Sequence, residues 1–119
     1  MRIWDSIRGH FALMEGKTLH TLAQHKPFTI QRVIPKNGEA DWVIVLSVGD
    51  EDRPQYVYIT DMLKVYFLII RNGGGWRPRK QIEEDVDISK FQTSYLMAMM
   101  TTFDDIEANK EGNAIRYVE

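Results

Sequence analysis

This 119-residue chain contains no cysteine, which excludes a disulfide framework and thiolate metal sites alike. Small secreted scaffolds lean on such cross-links, so their absence points to a reducing cytoplasm. Long apolar runs are missing too. None is longer than Val65 to Ile70, far short of the roughly 20 residues a membrane-spanning helix needs. The N-terminus, Met1-Arg2-Ile3-Trp4-Asp5, lacks the apolar core of a signal peptide. Neither export nor membrane anchoring is expected.

An excess of positive charge is also missing. The chain carries 15 Lys and Arg against 17 Asp and Glu. Residues 1–59 hold seven basic and seven acidic side chains, and residues 60–119 hold eight basic and ten acidic. Affinity for nucleic acid leans on cations that neutralise phosphates, so a near-neutral chain with a slightly acidic second half is a poor electrostatic match for that partner.

Recognisable catalytic spacing is absent as well. There is no Gly-x-Ser-x-Gly elbow and no thiol nucleophile. His10, His20 and His25 fall on different expected elements without a zinc-ligand spacing. Asp50-Glu51-Asp52 lacks the remaining ligands of a calcium loop and reads as a solvated turn. Asn72-Gly73-Gly74-Gly75 follows a helix and lacks the Lys-Ser/Thr pair of a phosphate-binding loop. No catalytic residues, metal or cofactor are expected.

What remains is an ordinary globular composition, 44% apolar and 27% charged, at a length that suits one core. One compact unit with two parts, 1–59 and 60–119, is expected. In the first, Trp4, Ile7, Phe11 and Met14 repeat at helical spacing, which predicts a helix ending near Gly16. Segments 18–23, 28–34, 42–48 and 55–59 are rich in β-branched and aromatic residues and are separated by Pro, Gly and Asp breakers. The nearly continuous apolar stretch 42–48, entered through a turn at Asn37-Gly38, predicts a central strand covered on both faces. A small antiparallel sheet against the first helix follows.

In the second part, Thr60 suits an N-cap, Asp61 suits the first turn, and Leu63, Phe67 and Ile70 repeat at helical spacing before the glycines end the helix. Pro78 in a first turn, with Ile82 and Val86 on one face, predicts a second, short helix. Ser89 and Gln92 have the spacing of a capping box, and Leu96, Met99, Met100 and Phe103 give the third helix its core face. Two short strands, 106–109 and 114–118, flank the turn-forming Lys110-Glu111-Gly112-Asn113. Trp76 is expected to fold back on the core. The fold class is therefore α+β: a helix with a small antiparallel sheet, then three helices with a C-terminal hairpin.

The order of elements over 60–119 resembles the winged-helix superfamily. That resemblance implies a third helix in the DNA major groove, with the second helix and the hairpin on phosphates. Carried over, the outer face of the third helix is Lys90, Ser94, Met97 and Thr101, and the phosphate contacts fall to Arg77, Arg79, Lys80, Lys110 and Arg116. This outer face holds one cation and neither Arg nor Gln for bidentate base contacts, and Glu83, Glu84, Asp85 and Asp87 lie close in sequence.

Two functions follow. The first is a small non-enzymatic regulator that binds nucleic acid, duplex DNA above all, with the front sheet supplying homodimerisation or further backbone contacts. The alternative is a protein-interaction module or inhibitor that uses the same scaffold, with Met97 or the strand Tyr56-Val57-Tyr58 as apolar contact surface. A continuous positive stripe favours the first; interruption by Glu83 and Glu84, or an exposed aromatic patch, favours the second.

Overall fold

Ile7 and Phe11 stand about one helical turn apart and both are buried, so the helix that carries them, α1 (Ile3–Ala12), turns one face into the core. The computed structural model describes residues 3–36, 41–48 and 54–119. α1 stops earlier than the expected end at Gly16. A turn follows, in which Gly16 has φ 88° and its N–H donates to the Ile30 carbonyl at 2.6 Å. Met14 thus reaches the core from this turn and not from the helix, and the Trp4 side chain lies outside the described residues.

The strands β1 (Thr18–His20), β2 (Pro27–Lys36), β3 (Asp41–Val48) and β4 (Gln55–Tyr58) form an antiparallel sheet in chain order. Val43, Ile44, Val45 and Leu46 are buried in succession, so β3 is covered on both faces, as its unbroken apolar stretch predicts. β1 is shorter than expected because the chain leaves the sheet at Thr21. There the Thr21 hydroxyl accepts the Lys26 N–H at 2.9 Å, and His25 adopts φ 55°. The expected turns at Asn37-Gly38 and Asp50-Glu51-Asp52 lie outside the described residues.

β4 runs directly into α2 (Ile59–Arg71), so its N-cap is Tyr58, without a side-chain cap bond, and Thr60 sits inside the helix. The start of α2 is set by the sheet it leaves and not by a capping hydroxyl. Its buried side is Ile59, Met62, Val65 and Ile69. The Leu63, Phe67 and Ile70 repeat lies on another side: Phe67 is 46% and Ile70 36% exposed.

After the glycine turn come β5 (Arg77–Pro78), α3 (Arg79–Val86), α4 (Lys90–Met100), β6 (Ile106–Ala108) and β7 (Ala114–Tyr117). The three strands make a second antiparallel sheet in the order β5-β7-β6. Pro78 precedes the first turn of α3 at the N-cap position without a side-chain cap bond, and Ser89 Oγ caps α4 by accepting the Gln92 N–H at 3.1 Å. The Gln92 side chain does not return to Ser89 N–H as a capping box would. Its Nε2 donates to the Tyr56 carbonyl on the edge strand β4 at 3.2 Å, which ties α4 to the front sheet.

α4 gives both parts of the chain one core. Tyr95, Leu96, Met97, Ala98, Met99 and Met100 are all buried, so over these residues the helix has no solvent face. It packs against α2 and α3, and against β1 and β4, with the Tyr95 ring 5.1 Å from that of Phe28. The result is an α+β fold with two antiparallel sheets. No helix among the described residues is long and apolar enough to cross a membrane.

Candidate functional site

The sequence Arg79-Lys80-Gln81-Ile82-Glu83-Glu84-Asp85-Val86 sets cations and carboxylates one helical turn apart, and α3 closes these pairs. Arg79 Nε lies 3.8 Å from Glu83 Oε2, and its Nη1 donates to Ser94 Oγ at 3.4 Å. Arg77 Nη1 donates to Asp85 Oδ2 at 3.3 Å. On the second sheet Arg116 is directly opposite Glu107, and its Nε donates to Glu107 Oε1 at 2.6 Å. Each of the three arginines expected to meet phosphate therefore has a carboxylate of its own. Lys80 and Lys110 are exposed and make no ion pair among the described residues. The Lys90 side chain lies outside the described residues.

Of the outer face expected of the third helix, none of the described residues Ser94, Met97 and Thr101 is fully exposed. Met97 is 1% exposed, which corrects its expected position on the surface. The front sheet takes the side of α4 that an isolated three-helix unit would leave open. Ser94 is half-buried beside Arg79, and Thr101 is the C-cap, its hydroxyl donating to the Ala98 carbonyl at 2.7 Å.

The hairpin is also committed to an internal contact. Asn109 organises its turn: Oδ1 accepts the N–H groups of Asn113 at 2.9 Å and Ala114 at 3.1 Å, while its carbonyl accepts the Gly112 N–H at 3.1 Å. Gly112 adopts φ 75°, is buried, and seats against the backbone of Leu22 and Ala23 after β1. A turn held there cannot swing independently of the front half. Lys110, two residues earlier, stays in solvent.

Exposed apolar side chains lie elsewhere: Leu13 after α1, Tyr56 on the edge strand β4, and the outer side of α2. At 3.6 residues per turn, Leu63, Phe67 and Ile70 fall on one side of the helix, with Lys64 and Arg71 along its margin. Lys64 and Arg71 are exposed and Leu63 is partly covered. Trp76 does not fold back on the core. It is 40% exposed, and the Arg116 guanidinium stacks over it at 4.3 Å. The sequence signal for this surface was the excess of apolar residues in α2. Core packing needs one stripe, and a second stripe signals a second contact.

Comparison of the chain with protein-family models, with curated proteins and with solved structures returns no match, so the candidate site rests on its own residues and geometry.

Proposed function

We propose that this chain is a non-catalytic protein-docking module, with residues 60–119 as a winged-helix-like scaffold and the outer side of α2 as its contact face. The observation that carries this reading is the burial of α4 from Tyr95 to Met100, which removes most of the groove-entering helix from contact with any partner. The carboxylates beside Arg77, Arg79 and Arg116 and the seated turn at Gly112 support it further. On α2, Phe67 and Ile70 offer apolar area flanked by the cations Lys64 and Arg71. Apolar anchors with two cations along one margin suit a partner segment with an apolar stripe and an acidic flank. A reducing cytoplasm fits the cysteine-free composition.

Contact with duplex DNA is the second reading. The element order α2-β5-α3-α4-β6-β7 and the sheet order β5-β7-β6 favour it, because both suit a winged helix. In that case Lys80 and Lys110 would meet phosphates without reading bases.

Selection from a displayed library of random peptides separates the two, run beside binding of random duplex and single-stranded oligonucleotides across a salt series. Docking predicts enrichment of peptides that are both apolar and acidic, with binding lost in Phe67→Asp and kept in Lys80→Ala/Lys110→Ala. Oligonucleotide binding with a steep salt slope, lost in the lysine variant and kept in Phe67→Asp, would replace docking with the DNA reading.

A further inference from the structure

A cleft of about 430 Å³ opens where α1, α2 and the 102–105 turn meet, beside the outer side of α2, with the Tyr66 ring 6.4 Å from that of Phe67. Ile7 and the rings of His10, Tyr66 and Phe103 line it, and Asp104 and Asp105 contribute carboxylates. The rings are already assembled: His10 lies 4.5 Å and Tyr66 6.1 Å from Phe103, centre to centre.

Accounting for the protons defines what this cleft offers a ligand. The Thr102 hydroxyl donates its one proton to the Met99 carbonyl at 2.7 Å, so at 2.8 Å from His10 Nε2 it must accept. The His10 proton is therefore on Nε2, and Nδ1 carries the lone pair. Burial, the largest influence on His10, holds its pKa below the usual histidine value and favours this neutral form. The Tyr66 hydroxyl spends its proton on Asp105 Oδ2 at 2.5 Å. What is left is an acceptor set: the Asp104 carboxylate and the second oxygen of Asp105. Among the cleft's polar side chains only Ser6 keeps an uncommitted hydroxyl proton, and no Lys or Arg lines the cleft.

Acceptors beside aromatic faces match a donor-rich cation with an aliphatic stem. A bare metal ion is a poorer match, because no group of three His, Asp or Glu side chains among the described residues converges to hold one. We propose that this cleft binds an organic cation, a primary ammonium or guanidinium on a short aliphatic chain, with Asp104 and Asp105 as its anionic partners and Phe103 and Tyr66 as its aromatic wall. Both a free amine and a Lys or Arg side chain of another protein carry this group. The proposal does not depend on docking at α2.

The test is a titration of the full chain, followed by amide NMR, with agmatine, spermidine and doubly blocked argininamide as cations and with butylurea and butyrate as neutral and anionic controls. Saturable shifts confined to residues 6–10, 66 and 102–105 are expected for the cations alone. Asp104→Asn, at an exposed position whose loss leaves the Tyr66 bond intact, should weaken cation binding about tenfold with the spectrum otherwise unchanged. Asp105→Asn should weaken it at least as much. Preference for the free amines would identify a small-molecule ligand, and equal binding of blocked argininamide a side-chain ligand; either supports the proposal. No saturable shift with any cation, equal binding of butylurea, or undiminished binding in both variants would overturn it.

Discussion

A Cβ atom on Gly112 would stand 2.6 Å from both the carbonyl carbon and the carbonyl oxygen of Leu22, so the tip of the β6–β7 hairpin and the loop after β1 meet backbone to backbone. The last turn of the chain thereby rests on its first strand region. Gly112 also holds φ 75°, a conformation that disfavours any side chain. Gly112→Ala should therefore cost about 2 kcal/mol or more, combining roughly 1 kcal/mol of backbone strain with overpacking. Gly73, at φ 61° with open space around it, supplies the control, since Gly73→Ala should cost only about 1 kcal/mol. Thermal unfolding of both variants checks this; equal losses would mean that the hairpin tip is not seated.

Met97 tests the burial of α4. Met97→Ala should destabilise by about 2–5 kcal/mol, the range for removing a large side chain from a packed core, and Met97→Lys by at least as much. Urea denaturation provides the comparison. A stable, fully folded Met97→Lys protein would return this position to the surface.

His10 gives stability a dependence on pH with a definite sign. Its folded pKa lies below the ordinary 6.5, chiefly through burial, which the Asp104 charge partly opposes and Lys17 slightly reinforces. As pH falls through that ordinary value the unfolded chain takes up the proton first, so stability declines on acidification and is fully present above it. His10→Gln, which keeps an N–H for Thr102, should flatten the decline just below pH 6.5. Identical pH profiles of the urea midpoint in the two proteins would remove His10 as its source.

Arg79 tests whether any phosphate contact reaches beyond Lys80 and Lys110. It is held between Glu83 and Ser94, so Arg79→Ala should leave the salt dependence of any oligonucleotide binding unchanged. Contact with a phosphate instead predicts a log–log salt slope shallower by about 1. The slope from fluorescence anisotropy across a salt series decides.

Much of the local structure was legible because its causes are local. Ser89 caps α4 by accepting the Gln92 N–H, the apolar stretch in β3 marks a strand covered on both faces, and Lys110-Glu111-Gly112-Asn113 marks the hairpin turn, although Asn109, expected in the strand, organises it. Thr60 misled because β4 and α2 join without a loop, and a cap is needed only where a helix begins on its own. β5 escaped notice because two residues carry no periodicity. The cleft beside His10 was illegible, because Ser6, Tyr66 and Asp105 meet only through tertiary packing.

Sequence by itself determined the α+β class, the helical periods, the capped start of α4 and the near balance of charge, since each depends on neighbours within a few positions or on composition alone. The tertiary structure decided which faces are free. α2 carries apolar residues on two sides and α4 almost all round, and periodicity cannot say which side meets the core. The front sheet covers α4 and leaves Phe67 and Ile70 in solvent, because burying one helix between two layers releases the most apolar area from water while α2 can present only one side to that core.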